Sequence, residues 1–407
     1  MTKPQHHEIV VIGAGICGAT IANELLLRGK SVCIVDAASS PATACSSHAY
    51  AIAHPHIGKG SPRLLRLTRI AFLLAEARWG KAWNKHGIFQ PTKTDKHFDR
   101  AEVSKHLQSL DLDQDMAVAL DAQEAEKICG IKQSGVWIPR GASLNLFETS
   151  NALLQDQSLL TCLWNTRVTK LEGDDDRWLL FNQNNEVIIS ADKVIVATAM
   201  DSKALMASIG VRLPLKPVRG QLSIFSIRED AWIKKLPRVG ISGDGYCLPA
   251  ERLEDGSHRW MVGSSFDEGE DDLGSRDSSD AFNREQAQGL LAYPEGDLGA
   301  LIKAGDFVGV RCVAGDRLPI IGALTQRPGI FLATALGSRG ILWSALAAKL
   351  ITAQVLEDDF ALLARLGFAT DLLAALAPAR FFAGALAAPG ALASNSKPIL
   401  PSVPKAK

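Results

Sequence analysis

Three closely spaced glycines near the start of the chain point to chemistry with a dinucleotide. They are Gly13, Gly15 and Gly18 in GAGICG, and they directly follow the apolar run Glu8–Ile12 (EIVVI). Glycine is needed where the backbone turns sharply, where it approaches a pyrophosphate, and where helix and strand pack closely. Asp36 ends the next apolar run and can accept hydrogen bonds from ribose hydroxyls. The segment therefore predicts dinucleotide binding, without distinguishing NAD from FAD.

The elements that position these residues form one strand–helix–strand unit. Glu8–Ile12 is predicted to be a buried parallel strand, Ile16–Arg28 an apolar-periodic helix, and Ser31–Val35 a second strand. The N-terminus of the helix would then face the phosphates. A glycine-rich turn in an unrelated α/β protein is the alternative interpretation.

The segment after Asp36 supplies further polar candidates. Ala37–His48 is made of small and polar residues, which could lie along a cofactor's phosphates and ring; a surface loop is the alternative. His48, His54 and His56 lie close together in the sequence. Beyond Cys45, no matching set of thiolates or carboxylates accompanies them, so we predict no metal site.

A second glycine turn lies near the C-terminus. Gly329–Ala335 (GIFLATA) is predicted to be a strand, and Leu336–Gly340 (LGSRG) leads from it into a long helix, Ile341–Leu356. Backbone N–H groups at the start of that helix can point at the pyrimidine edge of a flavin and stabilise its reduced form. An ordinary Rossmann helix is the alternative.

The middle of the chain is predicted to be rich in antiparallel strands. Arg167–Leu171, Arg177–Phe181 and Glu186–Ser190 should form a three-stranded meander, and a separate strand should follow within Ala191–Met200 (ADKVIVATAM). The acidic run Asp267–Asp272 is predicted to be a solvated loop.

Length, hydrophobic content, cysteine spacing and net charge indicate a large globular protein and not a membrane-spanning or secreted one. With 407 residues, 47% of them hydrophobic, the chain can bury a large core and is expected to form two lobes. It has no apolar stretch long enough to span a bilayer, and MTKPQHH does not have the pattern of a signal peptide. The seven cysteines include no CxxC pair, which suits a reducing cytoplasm. The formal net charge is zero, so RNA contact would need a local basic patch.

Longer motifs resemble those of the FAD-dependent amino-acid-oxidase superfamily, which includes glycine oxidase, sarcosine oxidase and D-amino-acid oxidase. Within it, the chain is similar to the C-terminal oxidoreductase half of the bifunctional tRNA 5-methylaminomethyl-2-thiouridine biosynthesis (MnmC) proteins. GVRCVAGDRLPIIG followed by LGSRG is the most discriminating pair of motifs. The other matching segments, spread from about Glu8 to Arg380, are GAGICG, DMAVALDAQEAEKICGI, PVRGQLS and DGYCLP.

The resemblance implies an α/β fold with a Rossmann-type FAD-binding domain and a second, mostly antiparallel-sheet substrate domain, as in glycine oxidase. The FAD-binding domain is expected at residues 1–86, 147–212 and 305–385, the substrate domain at 87–146 and 213–304, and a disordered tail at 386–407.

The resemblance also implies that FAD is the cofactor, and we expect it to be bound non-covalently. The expected contacts are Gly13, Ala14, Gly15, Ile16, Cys17, Gly18, Asp36, Ser46, Ser47, His48, Val168, Ala197, Gly337, Ser338, Arg339, Gly340 and Ile341. Arg311, in GVRC, matches the carboxylate-binding arginine of glycine-oxidase-like enzymes, and Tyr246, in DGYCLP, would face the flavin. A structural salt bridge for Arg311 and simple sheet packing for Tyr246 are the alternatives.

The activity that this resemblance implies is removal of the carboxymethyl group from 5-carboxymethylaminomethyl(-2-thio)uridine at the tRNA wobble position, with release of glyoxylate. Two alternatives stay open. One is oxidation of a free small amine such as glycine, sarcosine or a D-amino acid by an oxidase or dehydrogenase. The other is a flavin-binding scaffold without activity of its own.

The chain departs from the resembled family in three places. The loop after the second strand is ACSSH, where the family resembles GASGN. After Pro378-Ala379-Arg380 the chain continues FFAGALAAPG, where the family is rich in lysine and arginine. No methyltransferase half precedes Glu8, so we expect a separate methyltransferase to act next.

Overall fold

The computed structural model of the protein describes residues 4–49, 51–58, 60–93, 96–173, 177–293, 297–358 and 360–382. The predicted tail, 386–407, lies outside these residues. The strands are β1 (Gln5–Ile12), β2 (Val32–Val35), β3 (Ala51–Ala53), β4 (Ile88–Pro91), β5 (Val118–Leu120), β6 (Gly135–Ile138), β7 (Ala142–Leu144), β8 (Leu160–Leu163), β9 (Lys170–Gly173), β10 (Trp178–Phe181), β11 (Val187–Val196), β12 (Leu215–Ile227), β13 (Gly240–Ser242), β14 (Tyr246–Cys247), β15 (Glu251–Arg252), β16 (His258–Gly263), β17 (Asp267–Glu268), β18 (Ile302–Ala314), β19 (Ile320–Ala323) and β20 (Ile330–Thr334).

The helices are α1 (Ile16–Leu27), α2 (Pro62–Trp79), α3 (Arg100–Ser109), α4 (Ala122–Cys129), α5 (Leu146–Leu154), α6 (Ser202–Ala207), α7 (Asp230–Ile233), α8 (Asp277–Leu291), α9 (Gly340–Leu356), α10 (Ala361–Arg365) and α11 (Thr370–Leu376). Within the described ranges, none of them is both long and apolar enough to cross a membrane.

The first sheet is built around parallel strands in the order β20-β11-β1-β2-β8, with β19 antiparallel at one edge. Its centre is buried on both faces, as a parallel sheet requires. Ile9 and Val11 pack in the core cluster that contains α1, α2 and α9, whereas Val10 and Ile12 pack in a second cluster on the other face. The predicted Rossmann unit is therefore confirmed, with its turn at the carboxyl end of β1.

The antiparallel meander flanks this sheet, with two corrections. Its first strand is β9, since Arg167, Val168 and Thr169 precede the strand. The prediction of two separate strands in 186–200 was wrong, because β11 runs without a break for 10 residues. β11 pairs with β1 in parallel and with β10 in antiparallel fashion, so one long strand satisfies both neighbours.

The second sheet is mostly antiparallel and has the order β17-β12-β16-β14-β13-β4-β6-β5, with β18 pairing along β12. Helix α8 hydrogen-bonds through Asp280 and Asn283 to side chains of β12. The acidic run was predicted to be a loop, but Asp267 and Glu268 form β17 and pair with β12. Asp267 also pairs with the buried Arg219, so this part of the run belongs to the structure's interior network.

The register of β12 against β18 defines two faces of the second sheet, because residues directly opposite each other share a face and successive residues alternate. Val218 lies opposite Arg311, and Gly220 lies opposite Gly309, whereas Arg219 lies opposite Val310. We call the face with Val218, Gly220, Leu222, Phe307, Gly309 and Arg311 the site face. The face with Arg219, Gln221 and Ser223, which meets α8, is the helix face.

Candidate active site

The first glycine turn leaves no room for side chains at two positions. Gly13 has a φ of +100°, and a Cβ there would lie 2.6 Å from the carbonyl oxygen of Ala197, which follows β11. A Cβ on Gly18 would lie 1.8 Å from the carbonyl oxygen of Gly13. Ala197 N donates to Ile12 O at 2.8 Å, so the ends of β1 and β11 meet at this turn.

Asp36 closes the turn from the second strand. Its Oδ2 accepts a hydrogen bond from Ala14 N at 2.6 Å, and its Oδ1 accepts one from Ala38 N at 2.8 Å. The backbone of Thr166 donates to Asp36 O, which brings the segment that carries the partly buried Val168 alongside. The predicted contacts from three separate stretches of chain therefore meet at one edge of the first sheet.

Gly15 has a neighbour that the sequence did not reveal. Its missing Cβ would lie 3.2 Å from Ser46 Oγ, and this hydroxyl accepts a hydrogen bond from Ile16 N at 2.9 Å. Ser46 therefore occupies the N-terminus of α1, beside the predicted pyrophosphate position. The adjacent Ser47 hydroxyl donates to Ala44 O within its own turn.

The second glycine turn lies at the start of α9. Gly337 has a φ of +54° and opens a 3₁₀ turn, Gly337–Arg339, that leads into the helix. Apart from its chain neighbours and the backbone of its own helix, no described atom lies within 4 Å of the position that a Cβ on Gly340 would take. Ile341 is buried, so the helix is anchored in the core while its first turn is open on one side. This is the environment that a planar ring system needs to approach backbone N–H groups closely.

Arg311 reaches across the site face to the far side of β12. Its Nη2 donates to Ser264 Oγ at 2.5 Å, and its Nη1 lies 3.4 Å from the carbonyl oxygens of Arg219 and Ser265. A Cβ on Gly220 would lie 2.1 Å from Nη1, so glycine in the intervening strand makes this path possible. Burial lowers the pKa of the Arg311 guanidinium. Among the described residues, no carboxylate forms an ion pair with it.

Tyr246 lies near Arg311 and is held by a residue of the first lobe. Its hydroxyl is 2.9 Å from His48 Nε2. Burial raises the pKa of Tyr246, although Arg311 opposes the rise. Burial and the charge of Arg311 lower the pKa of His48 to about 4, so the imidazole is neutral at neutral pH.

The other two histidines are held in hydrogen bonds. His54 Nε2 is 3.0 Å from Ser242 Oγ, and His56 Nδ1 is 3.2 Å from Arg339 Nη2. Burial lowers the pKa of His54 to about 4, and it also lowers that of Arg339. The residues that the structure describes contain no group of three or more His, Cys, Asp or Glu side chains placed to hold a metal ion.

The two turns fit FAD on steric grounds. Gly13 and Gly18 pack where a side chain would collide with backbone, and Gly340 borders open space at the start of α9. The first turn suits a pyrophosphate, and the second suits the flavin ring. Arg311 and Tyr246 lie on the site face of the second sheet, as a substrate site over the ring would require, and His48 of the first lobe contacts Tyr246 there.

A family comparison decides the class of enzyme. The family model described as FAD dependent oxidoreductase matches residues 8–354. The chain belongs to this family. It is an FAD-dependent oxidoreductase, and the predicted cofactor and superfamily are confirmed.

Curated relatives match almost the whole chain. The tRNA 5-methylaminomethyl-2-thiouridine biosynthesis bifunctional protein MnmC of Ralstonia nicotianae is 33% identical over 94% of this chain and 61% of the relative. The protein of the same name from Cupriavidus necator is 28% identical over 93% of this chain and 60% of the relative. The chain thus spans about three fifths of the length of the curated relatives that it matches.

Solved structures agree on the fold. Glycine oxidase from Geobacillus kaustophilus aligns with a TM-score of 0.70 at 19% identity, covering 88% of this chain and 96% of that one. L-proline dehydrogenase from P. horikoshii aligns with a TM-score of 0.74 at 16% identity, covering 94% and 100%. The predicted fold, a Rossmann-type lobe with a mostly antiparallel second sheet, is confirmed.

Sequence reasoning missed the residues that shape the path of Arg311. Gly220 and Ser264 are needed for its position, yet neither carries a catalytic motif of its own. A glycine directly after an arginine in PVRGQLS was the available signal, since glycine inside a strand often marks a close approach. The hydrogen bonds of His48 and His54 to the second sheet had no signal in the sequence, because their partners are 198 and 188 residues away.

Proposed function

We propose that the protein oxidises the N–CH2–carboxylate of a 5-carboxymethylaminomethyl(-2-thio)uridine at the tRNA wobble position, leaving the aminomethyl nucleoside and releasing glyoxylate. The enzyme class is that of a flavin oxidoreductase acting on a CH–NH group.

The observation that carries this proposal is the state of Arg311. A buried guanidinium normally has a carboxylate partner, because an unpaired buried charge is costly. Arg311 has hydroxyl and carbonyl partners instead, and no ion pair with any described carboxylate. A substrate carboxylate would supply the missing charge, and the planar guanidinium can bind it through two parallel hydrogen bonds.

In the proposed reaction, the substrate methylene loses a hydride and the amine nitrogen loses a proton, which gives an imine. Bound FAD supplies the acceptor for that hydride and its two electrons. Water adds to the imine carbon, the C–N bond breaks, and the products are the primary amine and glyoxylate. Arg311 and Tyr246 bind the carboxylate and so orient the methylene, while Leu222 and Phe307 form an apolar floor on the same face.

The roles of the cofactor-binding residues are part of the proposal. The turn Gly13–Gly18 and Ser46 would hold the pyrophosphate, Asp36 the ribose, and Val168 and Ala197 the adenosine side. The remaining predicted contacts would border the flavin: Ser47, His48, Gly337, Ser338, Arg339, Gly340 and Ile341.

The tRNA substrate is supported by the names of the relatives and by their similarity across nearly all of this chain. We propose a methyltransferase that acts on the aminomethyl product as the next activity, and the cytoplasm as the site of action. We also keep the two-domain division as a proposal. Strand pairing favours one change to it: β18 pairs with β12 along its length, so residues 305–314 group with the substrate domain.

The test is anaerobic reduction of the oxidised holoprotein by undermodified tRNA, with glycine, sarcosine and a D-amino acid in parallel. We expect bleaching of the flavin by the tRNA and release of one glyoxylate for each FAD reduced. Bleaching by a free amine and not by tRNA would replace the proposal with the free-amine alternative. Reduction by none of them would favour the scaffold interpretation.

A further inference from the structure

Phe266 is an exposed aromatic side chain beside the proposed carboxylate site. It lies between β16 and β17, and 44% of its surface is exposed. Single exposed apolar side chains are common on protein surfaces, so exposure alone indicates no function. The position of Phe266 is what distinguishes it, because the guanidinium carbon of Arg311 lies 5.6 Å from the centroid of its ring.

The segment that carries Phe266 also holds Arg311 in place. Ser264, two residues before Phe266, accepts a hydrogen bond from Arg311 Nη2 through its hydroxyl. Asp267, the next residue after Phe266, instead pairs with Arg219 of the helix face. Ser264 and Phe266 thus both lie beside Arg311, and the ring borders the carboxylate site where that site meets solvent.

Two arginines approach the ring of Phe266 without covering it. The guanidinium carbon of Arg317 lies 5.9 Å from the ring centroid, slightly farther than that of Arg311. An arginine that packs closely over a ring in this protein lies nearer, as Arg284 does over Phe225 at 4.3 Å. Part of the Phe266 ring is therefore open to a planar ligand, with two cations nearby.

Such a ring suits a nucleobase. Bases stack on exposed aromatic side chains, and arginine near the stack adds cation–π attraction. In the proposed substrate, four single bonds join the carboxylate carbon to C5 of uracil, a span of about 5 Å when extended. A carboxylate bound at Arg311 therefore brings the base within reach of Phe266. Glycine and sarcosine have no ring to place there.

We propose that Phe266 is a specificity-determining residue, which stacks against the uracil base of the wobble nucleotide when Arg311 binds the carboxylate. This inference rests on the proposed function. It accounts for a preference for the modified nucleotide over a free amine, since both carry a carboxylate that Arg311 can bind.

The experiment compares two probes of the oxidised holoprotein. The apparent Kd for undermodified tRNA is taken from anaerobic reduction of the flavin, and the Kd for acetate from the change in flavin absorbance. Phe266→Leu keeps an apolar side chain but removes the ring. It should raise the apparent Kd for tRNA about 10-fold, within the range for loss of one base–aromatic stack. The Kd for acetate should not change, because acetate has no base.

Two further variants complete the comparison. Phe266→Tyr keeps the ring and should retain wild-type affinity for tRNA. Phe282→Leu is the matched control, because Phe282 is 41% exposed on α8, which meets the helix face on the other side of the sheet. It should leave the Kd values for both probes unchanged.

Three results would overturn the inference. The first is wild-type affinity for tRNA in Phe266→Leu. The second is an equal loss of tRNA and acetate affinity in that variant, which would show that the ring only supports Arg311. The third is an equal loss of tRNA affinity in Phe282→Leu, which would show that the effect is not specific to the site.

The wild-type protein separates this inference from the proposed function. If undermodified tRNA does not reduce its flavin, the proposed function fails, and the role of Phe266 fails with it. If tRNA reduces the wild-type flavin and Phe266→Leu binds tRNA equally well, only the stacking role is overturned.

Discussion

Arg219 and Arg311 lie on opposite faces of the same pair of strands, β12 and β18, and differ in their ion pairs and hydrogen-bond partners. Arg219 has no exposed surface, pairs with Asp267 at 3.0 Å, and donates to Gln221 Oε1 at 2.9 Å and to the carbonyl oxygens of Asp272 and Gly274. Arg311 is paired with no described carboxylate. Its partners are the Ser264 hydroxyl and the carbonyl oxygens of Arg219 and Ser265, and its guanidinium passes beside Gly220.

The difference shows that the two faces of one sheet have different roles: the helix face stabilises the fold, and the site face is available to bind a substrate. On the helix face, charged side chains pair with one another: Lys303 pairs with both Asp280 and Asp306. On the site face, glycines replace the side chains that could have paired with the cation. A cation left with neutral partners is prepared for an anion that arrives from solution.

The largest expected effect is a loss of stability when Arg219, on the helix face, is replaced. Arg219→Ala removes the partner of Asp267 and leaves several buried acceptors unpaired. The free energy of unfolding should fall by about 3–5 kcal/mol, the range for losing one member of a buried ion pair. Urea denaturation measures it. Arg317→Ala is the control, because its pair with Glu268 is exposed and should cost less than about 1 kcal/mol. Equal losses in the two variants would remove the distinction.

Acid should first affect the two histidines of the first lobe that hydrogen-bond the second sheet. The pKa values of His48 and His54 are lowered to about 4 by burial, and also by the nearby charge of Arg311 and of Arg339 with His56 respectively. Unfolded histidine titrates near 6.5, so between these values the unfolded chain binds more protons than the native protein. Stability should therefore fall as the pH drops from about 6.5 toward 4, by on the order of 1–2 kcal/mol for each histidine at pH 5.

The helix face should not respond over the same range. Burial alone would raise the pKa of Asp306, but hydrogen bonds from Ser275 and Lys303 lower it, so this carboxyl stays charged. Denaturation of wild type and of a His48→Gln, His54→Gln double variant at pH 7 and pH 5 tests the assignment. An unchanged acid loss in the double variant would place its origin elsewhere.

Replacing the planar guanidinium of Arg311 with an ammonium group should lower activity without destabilising the fold. Arg311→Lys keeps a charge but loses the planar pair of donors. We expect a KM for tRNA about 10-fold higher and a lower kcat, with FAD content and denaturation midpoint unchanged. Steady-state kinetics on protein normalised to bound FAD measures this. An unaltered KM would show that a point charge suffices at this position.

The smallest effect on activity should come from a methyl group at position 220, which displaces the Arg311 guanidinium without removing it. Gly220→Ala places a methyl group where Arg311 Nη1 now lies, so the guanidinium must shift. We expect kcat/KM to fall several-fold, within roughly 1–2 kcal/mol of transition-state stabilisation. Gly305→Ala on β18 is the matched control, because no described atom beyond its chain neighbours lies within 4 Å of its Cβ position. Loss of activity in both variants would point to a general disturbance of the sheet.

The sequence could predict features that depend on residues close together in the chain, and it could not predict those that depend on residues far apart in the chain. The strand–turn–helix units at Gly13 and Gly337 were predictable because their geometry is set within a few residues. The continuous strand β11 was missed, since its length is set by pairing with β1, which is far away in sequence, as well as with the neighbouring β10. In the acidic run, only the start was misinterpreted, because Arg219, which pairs with Asp267, is 48 residues away. Residues 269–272 are exposed and lie outside strands, as predicted.

The same limit applies to the site. Arg311 and Tyr246 were identified through family motifs, and the structure brings them to one face. No local pattern could show that Gly220 clears the path of Arg311 or that His48 contacts Tyr246. Both facts depend on strand register and on how the two lobes meet.

The most direct test of the account is single-turnover reduction by undermodified tRNA in wild-type and Arg311→Ala holoproteins matched for bound FAD. Loss of the carboxylate's buried partner should cost about 2–5 kcal/mol of transition-state stabilisation, a reduction in rate of roughly 30-fold or more. We predict that loss together with a normal FAD content and a normal denaturation midpoint. Near-native reduction by Arg311→Ala would contradict the account and would require the carboxylate anchor to lie elsewhere, with Arg339 and Arg317 as the next residues to change.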